Sequence, residues 1–246
     1  MTRPFPPPTV APGQLQARLS EQGFALLSGA DVPGWLSVPR PQLDDLASAW
    51  DDLPPDAHLR DGGRYRYRRH SCFVVDGGQV RQVPHRAHWQ PLEYNALHGG
   101  MQRWFEPVHP ETVARPVWSR LLTRVGDAAS ALRGAQPWHV EAHLFRIDTA
   151  DGIGRPTPEG AHRDGVDLVA VFMVGRHAIK GGESRVFETA GPAGQRFTLT
   201  EPWSLLLLDD ERVIHETTPI QPLEPGRTGW RDTLVLTYRR GGFQGD

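Results

Sequence analysis

The 246-residue chain has one cysteine, Cys72, one lysine, Lys180, and no hydrophobic run approaching the length of a membrane span. A single cysteine excludes an internal disulfide and any zinc or iron–sulfur site built from several thiolates, so the protein does not depend on an oxidising compartment. With one lysine among 27 basic residues, positive charge is carried by arginine, a bias that reflects coding composition and from which no function is read. Neither sign of charge is in excess. The 27 basic and 29 acidic residues leave a net charge of −2, too little to recruit nucleic acid or an anionic membrane through a global field. Residues 1–8 lack the apolar stretch of a secretory signal. The expectation is a cytoplasmic protein that acts on a small molecule, with its oligomeric state left open.

What is present divides into a mixed first half and a β-rich second half. Residues 1–13 read as a proline-rich, poorly ordered arm. Residues 14–246 read as one domain, with helical and strand additions over 14–137 and a β core over about 138–240. A helix is predicted over residues 14–22 and a short strand over 24–27. A second helix falls within 41–53, where Leu43, Leu46, Ala47 and Trp50 have helical spacing. Residues 64–75 read as a strand. Residues 110–133 suit a long amphipathic helix with an interruption at Pro116 or Gly126. Strands follow over 138–147, 166–174, 184–188, 204–208, 213–215 and 232–238, several of them separated by glycine-rich turns. The fold class is therefore mainly β with flanking helices, arranged as a jelly roll or double-stranded β-helix, cupin-like.

Within the β-rich half, His162 and Asp164 stand two residues apart, and His215 lies far enough along the chain to occupy a neighbouring strand. Residues i and i+2 of an extended strand share a face, so the pair can grip one ion while His215 completes the set. Two imidazoles and one carboxylate on one face of an octahedral ion are the ligands of non-haem Fe(II) oxygenases. Arg231, at the start of a last apolar strand, can hold a carboxylate with its two-pronged guanidinium. Triad and arginine together describe a site for Fe(II), 2-oxoglutarate and O2. Asp209 and Asp210 are rival ligands, but only Asp164 meets the same-face requirement directly. Glu216 would face away from His215 on a regular strand.

A further signal is a resemblance. The runs Pro156–Gly165, Gly181–Ser184, Asp209–His215, Thr218–Ile220 and Arg231–Val235 resemble the bacterial 2-oxoglutarate/Fe(II) dioxygenases that include L-isoleucine hydroxylases, and the likeness extends from Gln90 to Tyr238. The resemblance implies a double-stranded β-helix with His162, Asp164 and His215 as iron ligands and Arg231 on the distal carboxylate of 2-oxoglutarate. Thr233, on the same face of that strand, is a candidate hydroxyl donor. It also implies hydroxylation of a free L-amino acid, aliphatic or similar. Such a substrate needs a cation for its carboxylate, for which Arg66 and Arg68 are candidates, and an acid for its ammonium, for which Glu159 is one. His143 and Asn95 are candidate pocket residues. Arginines interleaved with tyrosines over 64–69 also permit a hydroxylase or demethylase of protein or nucleic acid. Two other readings stay open: a non-catalytic cupin-like binding module, and zinc or manganese on the same ligands.

Overall fold

The computed structural model describes residues 5–245. In chain order its strands are β1 (Phe24–Leu27), β2 (Arg66–Asp76), β3 (Gln79–Gln82), β4 (Trp138–Asp148), β5 (Leu168–His177), β6 (Ile179–Gly181), β7 (Ser184–Glu188), β8 (Gly194–Phe197), β9 (Ser204–Asp209), β10 (Val213–Thr217), β11 (Ile220–Pro222) and β12 (Trp230–Arg239). Seven form one sheet in the order β1-β9-β5-β12-β4-β2-β3. A three-stranded sheet, β10-β7-β8, lies against it, and β11 pairs with β6. All pairings are antiparallel. This is the expected double-stranded β-helix.

Side-chain alternation gives the large sheet two different faces. Val140, Ala142 and Leu144 of β4, with Leu234, Leu236 and Tyr238 of β12, turn toward the helices and form the larger core. Glu141, His143 and Phe145, with Arg231, Thr233, Val235 and Thr237, turn the other way and line a cavity. Toward β1 and β9 the space between the sheets is instead filled by Phe24, Leu26, Val169, Val186, Phe197 and Val213. The inter-sheet space is thus packed with hydrocarbon at one end and lined with polar groups at the other.

The helices α1 (Leu15–Gln22), α2 (Val32–Leu36), α3 (Arg40–Leu46), α4 (Pro110–Val113) and α5 (Pro116–Arg133) flank the sheets. In α5 the apolar stripe Val117, Leu121, Leu122, Val125 and Ala129 is buried. The expected interruption falls at Pro116, which begins the helix because a first-turn residue needs no amide donor. Gly126 continues the helix and allows close approach, since a Cβ there would sit 3.1 Å from Val75 of β2. Among the described residues no helix is long and apolar enough to cross a membrane.

Three sequence expectations need correction. The arm is tied down where it is described: Val10 donates to Leu26 of β1 and Phe5 accepts from Thr198. Residues 1–4 lie outside the described residues. The helix expected within 41–53 is α3 followed by a tighter 3-10 turn, Ala47–Trp50. The strand expected from residue 166 starts at Leu168, because the amides of Gly165 and Val166 are bound by a side chain instead.

Candidate active site

All ten residues singled out from the sequence border one cavity: Arg66, Arg68, Asn95, His143, Glu159, His162, Asp164, His215, Arg231 and Thr233. His162, Asp164 and His215 come together as a group that could hold a metal ion. One donor atom from each lies within 4.8 Å of the others. The mechanism differs from the sequence argument, because His162 and Asp164 do not sit on a regular strand. His162 instead forms an isolated bridge to His215 of β10, its N–H donating to His215 O at 3.0 Å and its carbonyl accepting at 2.9 Å. Two imidazoles are thereby fixed opposite each other, ring centroids 4.7 Å apart.

Asp164 is placed by an aspartate considered above as a rival ligand. Asp210 accepts the amides of Asp164 at 2.9 Å, Gly165 at 2.8 Å and Val166 at 3.1 Å, and its own carbonyl accepts from Arg163. Asp209 points elsewhere and pairs with Arg133, while Glu216 pairs with Arg185 at 3.1 Å. Replacing Asp210 with alanine strands three amides at about 1 kcal/mol or more each and frees the loop carrying Asp164. Affinity for a divalent metal should fall about 10–100-fold, the usual effect of losing a group that orients a ligand. Calorimetric titration with Co(II) checks this, and wild-type affinity in Asp210→Ala would remove the role.

The donor set suits a dication. His162 Nδ1 faces Gly160 O at 2.9 Å; a carbonyl only accepts, so Nδ1 carries the proton and Nε2 keeps its lone pair toward Asp164. Asp164 Oδ1 lies 3.8 Å from His162 Nε2, and Oδ2 lies 3.6 Å from His215 Nε2. Burial, with Glu159 nearby, raises the Asp164 pKa, and burial with the Asp164 charge raises that of Asp210. Burial lowers that of His215 to about 3, leaving it a neutral imidazole, while at His162 burial is outweighed by Asp164 and Glu159, which raise it. A bound cation would relieve the repulsion between these carboxylates.

Across the cavity, Arg231 is 4% exposed and its side chain makes no hydrogen bond or ion pair among the described residues, Nε being left without an acceptor. Burial, helped by the Arg176 charge, pulls its pKa down to about 10, so it remains a cation at neutral pH. An unpaired buried guanidinium is an anion site. Thr233 stands beside it in the cavity wall, next to a register shift between Asp232 and Thr233.

The opposite wall is richer in charge than the sequence indicated. Arg66 and Arg68 are buried, not part of a solvated face. Arg66 pairs with Asp56 at 2.7 Å, and Arg68 lies between the rings of Phe105 and Phe145, 3.7 and 4.5 Å from their centroids. Sequence reasoning missed Gln90, Arg103, His70, His88 and Glu141, which carry no short-range pattern. The strand register explains the last group: β2 places His70 opposite His143 and Cys72 opposite Glu141.

His70, His88, Glu141 and His143 also have donor atoms within 4.8 Å of one another. Hydrogen bonding already occupies them. Arg68 donates to His143 Nδ1 at 2.7 Å, so His143 carries its proton on Nε2, 3.6 Å from Glu141 Oε2. His70 and His88 meet the same oxygen at 2.8 and 2.5 Å. Two N–H groups thus bond one carboxylate oxygen, a third faces it at 3.6 Å, and the nitrogens that His70, His88 and His143 turn toward Glu141 are donors to it. His143 Nδ1 is engaged by Arg68, and Asn95 is engaged by Gln90 and by the amide of His98.

Burial lowers the pKa values of His70, His88, His98 and His143, that of His88 to about 4, and among these five histidines only His162 is shifted upward. Glu141 is also lowered, since the His88 charge and hydrogen bonds from His70 and His88 outweigh its burial. A histidine with a depressed folded pKa binds protons more readily when unfolded, so stability is lost as pH falls from 6.5 toward 4. For His88 alone the loss is on the order of 3 kcal/mol, a large share of a typical folding free energy. The melting temperature should therefore drop steeply below pH 6.5, and His88→Gln should flatten the profile. A wild-type profile unchanged down to pH 4.5 would contradict the buried neutral cluster.

The 2OG-Fe dioxygenase family profile matches residues 47–237. Among solved structures, a bsmA homologue from Methylobium petroleophilum PM1 is 54% identical over 96% of each chain, with a TM-score of 0.91. IDO from Bacillus thuringiensis, at 16% identity over 93% of this chain and 98% of its own, has a TM-score of 0.75. The Fe(II)/α-ketoglutarate-dependent dioxygenase TqaL, at 20% identity over 95% of this chain and 88% of its own, has a TM-score of 0.73. No curated protein sequence matches. Fold and cavity define a non-haem iron oxygenase, and the chain belongs to the 2-oxoglutarate/Fe(II) dioxygenase family. Its cofactor set is accordingly Fe(II), 2-oxoglutarate and O2.

Proposed function

We propose that this protein hydroxylates a C–H bond of a free L-amino acid, with His162, Asp164 and His215 holding Fe(II) and Arg231, assisted by Thr233, binding the distal carboxylate of 2-oxoglutarate. Residues 14–246 would form one catalytic domain. When bound, Fe(II) with 2-oxoglutarate and O2 supplies the oxidant for an unactivated C–H bond, releasing succinate and CO2. The protein's own groups bind, orient and shield. One observation carries the substrate class: buried polar atoms without partners, on groups of both signs, share the cavity wall. Arg66 Nη2, Arg68 Nε and Arg103 Nε are buried without acceptors, and Glu159 Oε2 is buried without a donor.

The charges agree. Against the guanidiniums of Arg66, Arg68 and Arg103 stand the carboxylates of Asp56 and Glu141, leaving one positive charge for a substrate carboxylate and Glu159 for its ammonium. His143 and Asn95 serve this wall by orienting Arg68 and Gln90. The resemblance of residues 90–238 to a bacterial dioxygenase family that includes L-isoleucine hydroxylases supports the same substrate class. The test is succinate release with Fe(II) and 2-oxoglutarate across the free proteinogenic amino acids, with mass analysis of products. At least one should stimulate turnover and gain an oxygen atom; silence across the set, with turnover of a peptide or oligonucleotide, sinks the reading. Arg68→Lys loses the planar two-donor edge, so the KM for that amino acid should rise about tenfold or more while the KM for 2-oxoglutarate stays near wild type.

A further inference from the structure

Asp164 has its backbone held from several sides, by Asp210 as described and by Gln244, whose Nε2 donates to Asp164 O at 2.9 Å. Its carboxylate is different. Among the described residues it accepts one hydrogen bond, from Gln90 Nε2 to Oδ1 at 3.2 Å. Gln90 is itself buried and locked: its Oε1 accepts from Asn95 Nδ2 at 3.1 Å and from Arg103 Nη2 at 3.0 Å. Two donors fill both lone pairs of that oxygen, so the amide cannot be reversed and its NH2 must face Asp164. The orientation of Asn95 is fixed in turn, since Oδ1 accepts the amide of His98 at 2.7 Å.

The loop carrying these groups is closed on itself. His88 and Arg103 exchange backbone hydrogen bonds of 2.9 and 3.0 Å, and Gly100 donates to Gln90 O at 2.8 Å. Gly99 is required for the closure, because a Cβ there would lie 2.4 Å from Asn95 O and 2.7 Å from Leu92 Cα. The loop is therefore a preformed frame that delivers one amide N–H to one oxygen.

We propose that Gln90, locked by Asn95 and Arg103, is a positioning residue of the iron site, acting on the Asp164 carboxylate where Asp210 acts on its backbone. Its hydrogen bond occupies Oδ1 of Asp164 and leaves Oδ2, the oxygen nearer His215, for the metal. A carboxylate so held cannot swing both oxygens onto the ion, which preserves the positions that cosubstrate and oxygen need.

The inference rests on the assignment of Asp164 as a ligand, and its test separates the two. Co(II) is titrated into the full-length protein without 2-oxoglutarate or amino acid, followed by visible absorption. His162→Ala should abolish the signal, and if it does not, the ligand assignment itself fails. Gln90→Met, which keeps the length of the side chain and removes the amide, should weaken Co(II) binding about 10–100-fold and change the visible spectrum at saturation. A purely structural role for Gln90 would lower the metal-free melting temperature and leave the saturated spectrum unchanged, and that result overturns the proposal, as does wild-type affinity. Should Gln90→Met not fold, Asn95→Ala decides: it keeps Gln90 and removes one of its two locks. A weaker Co(II) affinity with an altered spectrum supports the proposal, and an unaltered titration overturns it.

Discussion

Asp164→Asn is expected to abolish 2-oxoglutarate turnover while raising the melting temperature of the metal-free protein. The activity loss follows from the donor set: the amide has no charge to neutralise a dication and offers a far poorer ligand atom between His162 and His215. The effect on metal affinity should exceed the roughly 10–100-fold typical of groups that only orient a ligand. The stability gain follows from the sign of the pKa shift. Burial and Glu159 raise the Asp164 pKa above its unfolded value, so the ionised side chain costs folding free energy at neutral pH. Asp210, raised by burial and by Asp164 itself, loses a like charge when the amide replaces it. Calorimetry in chelator and a succinate assay in Fe(II) read the two halves separately. A variant that turns over 2-oxoglutarate, or one that melts well below wild type, contradicts the site as described.

The contrast between the two carboxylates shows what the sequence made legible. His162, Asp164 and His215 could be found because metal ligation requires particular residue types, and few types serve. The reason given for their convergence was wrong in detail, since a loop bridge and the Asp210 carboxylate do what a regular strand was expected to do. Asp210 is visible in the sequence only as a rival ligand, because nothing in a one-dimensional pattern separates an acid that binds metal from one that binds three amides. The longer strands and α5 were likewise legible from their periodicity. The short strands β3, β6, β8 and β11, of three or four residues each, were not. Such segments carry too few side chains to show a period of two, and pairing to a neighbour defines them. The Gln90–Arg103 frame is made of loop hydrogen bonds between residues distant in pattern, so only the fold reveals it.

Arg231→Met should separate binding from stability in the opposite sense to an ordinary core mutation. The guanidinium is 4% exposed, has no acidic partner among the described residues and is pulled down to a pKa of about 10, so the ligand-free protein pays for a buried cation that nothing offsets. Methionine fills most of the same volume without charge, and exchange of a buried ionic group for an apolar one of similar size is neutral or stabilising by about 1–4 kcal/mol. The ligand-free melting temperature should therefore hold or rise. Binding goes the other way. Charge-assisted hydrogen bonds contribute about 1.5–3 kcal/mol each, so loss of a two-pronged contact to the distal carboxylate should raise the KM for 2-oxoglutarate roughly 100-fold or more. The thermal shift that saturating 2-oxoglutarate gives the wild type should shrink correspondingly, while Co(II) affinity, which depends on His162, Asp164 and His215 across the cavity, should not move. Arg231→Lys keeps the charge and loses the fork, so its cosubstrate KM should fall between the two. An Arg231→Met protein with wild-type cosubstrate affinity would remove the arginine from the site, and one that melts far below wild type would mean that the buried cation has a partner within the fold.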